Sequence, residues 1–151
     1  MIRLIRTQSE NTDFQKLVRE LDIDLKIRDG EEHGFYAQFN GIDTIKHVVV
    51  AYEEDRAVGC GAIKEYAGGI MEVKRMYVLP TERCKGFASR VLKELEAWAN
   101  ELGYQKCILE TGKKQPEAIA LYLKNGFIII PNYGQYANVE NSVCLEKALM
   151  A

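Results

Sequence analysis

The order of segments along the chain predicts an α/β fold. Three observations carry this. Apolar strand-like runs recur at His47–Tyr52, Ala57–Tyr66 and Ile70–Val78. A long amphipathic helix follows, starting near Gly86 or Phe87 and ending at Leu102. Turn residues separate these runs, so antiparallel strands lead into a strand–helix–strand crossover. The expected whole is one domain over residues 1–151 with about seven strands, about four helices, a mixed and largely antiparallel central sheet, and helices on both faces.

Ile2–Ile5 has Ile2 and Leu4 on one face and Arg3 on the other, a short strand. Ser9 or Thr12 can cap a helix carrying Phe14, Leu17, Val18 and Leu21. From Asp22 to Lys46 the pattern breaks down. Acidic residues mix with Leu25 and Ile27, then Phe35, Tyr36 and Phe39, and a short helix is expected at Gly34–Phe39 between two loops. Glu53–Arg56 turns the hairpin between the next two strands, where Gly59 and Gly61 suggest a bulge or a close backbone approach. After the long helix and Gly103, Lys106–Glu110 is a strand and Pro116 opens a helix that Asn125-Gly126 stops. Phe127–Ile130 and Ser142–Glu146 are the closing strands, with a loop at Pro131–Asn141 between them.

With 151 residues the chain can bury a real core, and 20 basic against 22 acidic residues argue against a general nucleic-acid binder. No run suits a bilayer span, and MIRLIRTQSE lacks a signal peptide's apolar core, so a cytoplasmic protein without membrane contact is expected. Cys60, Cys84, Cys107 and Cys144 are widely spaced, which favours reduced thiols over disulfides or a metal site. His33 and His47 have no ligand neighbours at metal-binding spacing.

The chain is organised around Ile70–Gly103. Arg83, Gly86 and Ala88 form an R-x-x-G-x-A loop that opens directly into the long helix. Such a loop aims free N–H groups and the positive end of the helix dipole at one point, which suits a phosphate or pyrophosphate. No P-loop and no G-x-G-x-x-G follows a strand. On the preceding strand, alternation puts Glu72, Lys74, Met76 and Val78 on one face and Val73, Arg75 and Tyr77 on the other. Those charges are either solvated near the strand's end or held in a wet cleft, where a carboxylate can serve as a general base.

In the strand MEVKRMYV, the R-x-x-G-x-A loop, the helix ending Leu102-Gly103-Tyr104, the strand ILET and the segment QPEAIALYLKNGF, the chain resembles the GNAT superfamily of acyl-CoA-dependent N-acetyltransferases. The resemblance implies a three-layer α/β/α fold and acetyl-CoA as co-substrate, without a metal. Arg83, Cys84, Lys85, Gly86, Phe87 and Ala88, with Ser89, would hold the pyrophosphate, and the backbone of Met76, Tyr77 and Val78 would pair with the pantetheine arm. Glu72 matches the position of a general base in some members. Tyr122 matches the tyrosine that protonates the leaving thiolate, although a packed core aromatic is the other reading. Gln115 stands where many members have a cofactor-contacting Asn, a departure from the pattern.

The early region with Tyr36 and Phe39, and the late loop with Tyr133 and Tyr136, would flank the acceptor, a small amine, amino acid or peptide. The acidic stretch Asp22–Glu32 would attract an ammonium group or is simply a solvated loop. Lys74 would pair with Glu72 or bind a substrate carboxylate. A non-catalytic acyl-CoA-binding module and a modifier of protein N-termini or lysines are the competing readings. Homodimers are common in the superfamily, but no stretch of the sequence identifies an interface.

Overall fold

The computed structural model describes residues 2–29 and 45–149. In chain order the elements are β1 (Ile2–Thr7), α1 (Thr12–Asp29), β2 (His47–Glu53), β3 (Arg56–Ala67), β4 (Ile70–Val78), α2 (Phe87–Glu101), β5 (Lys106–Gly112), α3 (Pro116–Lys124), β6 (Ile128–Ile130) and β7 (Ser142–Ala148). Single 3-10 turns lie at Pro80–Glu82 and Gly134–Tyr136. The seven strands make one sheet ordered β1-β2-β3-β4-β5-β7-β6. Every pairing is antiparallel except that of β4 with β5, which α2 connects.

β2 is the centre of the packing because it is apolar on both faces. Val48 and Val50 meet Phe14, Leu17, Val18 and Leu21 of α1. Val49 and Ala51 face Val91, Leu92, Leu95 and Ala99 of α2. α3 sends Tyr122 and the following Phe127 into that second core. Helices therefore cover both faces, and three α-helices lie among the described residues. The helix expected at Gly34–Phe39 lies outside them. No helix of the described residues is long and apolar enough to cross a membrane.

Two expectations about α1 are corrected. Its N-cap is Asn11, whose Oδ1 accepts a hydrogen bond from Phe14 N at 2.9 Å, rather than Ser9 or Thr12. The helix also runs on to Asp29 where a loop was expected from Asp22. Leu21 and Leu25 continue its inward face, but Ile23 and Ile27 point to solvent at 62% and 77% exposure. Those outward isoleucines obscure the helical stripe in the sequence.

Candidate active site

β4 and β5 pair only over Ile70–Glu72 and Lys106–Ile108. Beyond that point they diverge, and the edge of β4 from Val73 to Val78 faces a cleft instead of a neighbour. A bulge shapes this edge. Cys60 pairs with Tyr77 and Ala62 with Lys74, so Gly61 alone opposes both Arg75 and Met76. Arg75 absorbs the extra residue with φ 60°, in the left-handed region. Gly61 leaves the room required, since a Cβ on it would lie 2.5 Å from Met76 Sδ and 2.8 Å from Leu95 Cδ1.

The bulge overturns the simple alternation read from the sequence. Met71, Val73, Met76 and Val78 face the α2 core, while Tyr77 faces the α1 core. Glu72 and Lys74 therefore do not share a face with Met76 and Val78; one inserted residue reverses the parity of the strand.

The outer part of the cleft is a cavity of about 560 Å³, bounded by Met76–Val78, the loop to α2, and α3. Gly86 is the N-cap of α2 at φ 86°, and a Cβ there would meet nothing within 4 Å. The N–H groups of Phe87, Ala88 and Ser89, in the first turn, have no intrahelical acceptor. Ser89 Oγ accepts a hydrogen bond from Asn125 Nδ2 at 3.1 Å, which ties the start of α2 to the end of α3 and leaves the hydroxyl proton to donate. These groups fit an anionic, extended ligand such as the pyrophosphate end of acetyl-CoA.

The loop itself is held by a residue that sequence reasoning passed over. Glu82 is 6% exposed and accepts hydrogen bonds from Arg56 Nη1 and Lys85 Nζ, both at 2.9 Å. Those two cations, Lys85 first, keep its carboxyl below the usual range. Arg83 Nε donates to the Val78 carbonyl at 3.0 Å, and its guanidinium lies 5.5 Å from the Tyr77 ring centroid. Arg83 and Lys85 thus brace the loop from within. Phe87 is a core side chain, 2% exposed, and only its backbone is placed for a ligand. Cys84 is exposed with φ 66°.

The inner part is a chamber of about 110 Å³ that shares Met76, Gln115, Ala118 and Tyr122 with the outer one. Glu72, 8% exposed, accepts a hydrogen bond from Tyr133 Oη at 2.6 Å, and Lys74 Nζ lies 3.6 Å from its other oxygen. Tyr133 packs edge-on against Tyr66 and Tyr136, with centroids 5.1 and 5.8 Å away. Burial and then the adjacent Glu72 charge push the Tyr133 phenol up, so it stays a proton donor. Its loop is fixed by Asn132 Nδ2, which donates to the Val139 and Ser142 carbonyls at 3.1 Å each. Burial and then Glu110 push the Tyr122 phenol up as well.

The structure brings Glu72, Lys74, Tyr122 and Tyr136 to one chamber, with Gln115 at its junction with the outer cavity, and Tyr133 is joined to that chamber through its hydrogen bond to Glu72. Tyr36 and Phe39 lie outside the described residues. Asp22 and Asp24, read as part of an acidic entrance, face arginines: Arg75 Nη1 is 2.9 Å from Asp22 Oδ1, and Arg83 Nη2 is 3.9 Å from Asp24 Oδ2. Sequence reasoning missed Leu21 and Leu25, Arg75, Glu110 and Thr111 as chamber walls. For Arg75 the available signals were Gly59 and Gly61, which marked a bulge without locating its partner.

The family profile described as Acetyltransferase (GNAT) family matches residues 11–127. An IAA acetyltransferase of Azospirillum brasilense is 41% identical over 102 residues, 67% of either chain. The crystal structure of an assigned acyl-CoA N-acyltransferase from Klebsiella pneumoniae superposes with a TM-score of 0.84 over 99% of both chains at 27% identity. PaiA N-acetyltransferase from Thermoplasma acidophilum, solved in complex with coenzyme A, shares the fold at a TM-score of 0.73 and 19% identity, over 98% of this chain and 99% of that one. With the family profile covering most of the chain and the sheet, crossover helix and cleft in place, the chain belongs to the GNAT family of acetyltransferases, which use acetyl-CoA as co-substrate.

Proposed function

We propose that this chain transfers the acetyl group of acetyl-CoA to a primary amine of a small molecule, amino acid or peptide, by direct attack while both substrates are bound. One observation carries the reading: Glu72 and Tyr122 line the same chamber, and that chamber opens into the cavity at the start of α2. Acetyl-CoA supplies an acyl group activated as a thioester. The N–H groups of Phe87–Ser89 bind its pyrophosphate, and the edge of β4 at Met76–Val78 aligns its extended arm as an added strand.

An alkyl ammonium has a pKa near ~10 and must lose a proton before it can attack. Glu72 accepts that proton, and Tyr133 holds the carboxylate in place through its 2.6 Å hydrogen bond. As the new C–N bond forms and the C–S bond breaks, Tyr122 donates a hydrogen bond or its proton to the sulfur. Its raised pKa keeps the phenol protonated for that purpose at neutral pH.

The test is thiol release from acetyl-CoA with a panel of amines. Wild-type protein should release CoA, and Glu72→Gln, which keeps an acceptor for Tyr133, should lower kcat by about 10²–10⁴-fold. Tyr122→Phe should also lower kcat, with little change in the KM for acetyl-CoA. Tight binding of acetyl-CoA without thiol release on any amine would replace this reading with that of a non-catalytic acyl-CoA-binding module.

A further inference from the structure

We propose that Arg75, with Lys74 beside it, forms a carboxylate-binding subsite in the inner chamber, and that the acceptor is a primary amine that also carries a carboxylate. The inference rests on the acetyltransferase reading above and names the acceptor's class.

Consecutive residues of a regular strand point to opposite faces, but the bulge at Arg75 allows Lys74 and Arg75 to line one chamber. Arg75 is held in the left-handed region, which is costly for a residue with a Cβ and is kept mainly where the surroundings over-determine it. Its side chain is 6% exposed. A guanidinium has five N–H donors in a rigid fork. One of them, on Nη1, reaches Asp22 at 2.9 Å, while Nε is buried with no hydrogen-bond partner. A buried charged donor without an acceptor is expensive, so it points to a ligand that supplies one.

The acidic groups around the chamber are already engaged. Glu72 accepts from Tyr133, Glu110 accepts from Ser142 Oγ at 2.7 Å, and Asp22, half-exposed, is paired with Arg75 Nη1. A carboxylate accepts hydrogen bonds from the guanidinium of Arg75, and Lys74 adds charge from the adjoining position. Leu21 and Leu25 of α1 provide an apolar wall for the carbon skeleton between the two ends. An amino acid held in this way has its carboxylate at Arg75 and its amine toward Glu72.

The experiment compares CoA release for the common amino acids, their carboxamides and the corresponding decarboxylated amines, with wild-type protein, Arg75→Gln and Lys74→Met. In parallel, calorimetry measures binding of butyrate, a carboxylate without an amine, to each protein, and thermal melting verifies that each is folded. For wild type, at least one acid should exceed its carboxamide by about 10–100-fold in kcat/KM, mainly through KM. Arg75→Gln should collapse that ratio toward one and abolish butyrate binding, and Lys74→Met should reduce both. If Arg75→Gln unfolds, Arg75→Lys should retain the charge and part of the preference. Turnover that favours carboxamides or simple amines, or an acid preference unchanged in Arg75→Gln, overturns the subsite and leaves the acetyltransferase reading standing. Butyrate binding that depends on Arg75, with no turnover on any amine, does the reverse.

Discussion

Gly86 and Tyr122 show how single positions set the two ends of the cleft. Gly86 adopts φ 86°, and a side chain there would meet open space, so its requirement comes from the backbone. Gly86→Ala should cost about 1–2 kcal/mol from the left-handed conformation alone. Its second effect should be a raised KM for acetyl-CoA with a smaller change in kcat, measured by steady-state kinetics beside a denaturant melt. At the other end, Tyr122 was legible as a motif position, but its surroundings were not. Its phenol is buried and lies near Glu110, which its sequence neighbours do not reveal. The same holds for Tyr133 and Glu72, which are 61 residues apart and meet at 2.6 Å. Residue types in the chain suggest candidates, but only the long-range fold makes a pair of them.

At the scale of elements, the bulge in β4 determines which side chains reach the cleft. Gly61→Val places a branched side chain against Met76, Leu95 and Val91, the last 3.0 Å from even a bare Cβ. Overpacking of this kind should cost about 1–3 kcal/mol, seen as a lowered melting temperature, and should disturb the chamber side chains more than the α1 core. All seven strands were readable from apolar runs and turn residues, because those signals are local. The bulge was only half legible: Gly59 and Gly61 suggested one on β3, but its place on β4 depends on what Gly61 leaves room for across the sheet. The full length of α1 was hidden for a related reason. Arg75 anchors Asp22 at 2.9 Å on a helix whose outward isoleucines spoil the apolar stripe. Glu82 was overlooked because one of its two partners, Arg56, comes from a strand 26 residues away, although Lys85 lies in its own loop.

At the scale of the molecule, stability should respond to pH through His47. Its ring lies edge-on to Trp98, with centroids 4.8 Å apart, and the Arg6 guanidinium covers that indole at 4.9 Å. Burial, and then the Lys46 charge, lower the His47 pKa below its ordinary 6.5. Above pH ~6.5 the imidazole is neutral in both folded and unfolded chains and contributes no pH dependence. As pH falls below that value the unfolded chain binds the proton first, so stability declines until the folded-state pKa is passed. Urea melts between pH 7.5 and 5 should show this decline, and His47→Gln should remove it from that window. A decline that is identical in the variant would assign the effect to other groups.

The short contact between β4 and β5 has a mechanical meaning as well. Among the described residues, three residue pairs, Ile70–Glu72 with Lys106–Ile108, are all the strand pairing that joins a four-stranded half of the sheet to a three-stranded half. A ligand lying along the divergent edges works as a clasp between the halves, so its binding energy adds to their cohesion. Acetyl-CoA at 100 times its dissociation constant should raise stability by ~2.7 kcal/mol. For a chain of this length that corresponds to a melting temperature higher by about 5–10 °C. Amide hydrogen exchange should slow in the divergent stretches of both β4 and β5, beyond Glu72 and Ile108, where the two strands no longer pair with each other.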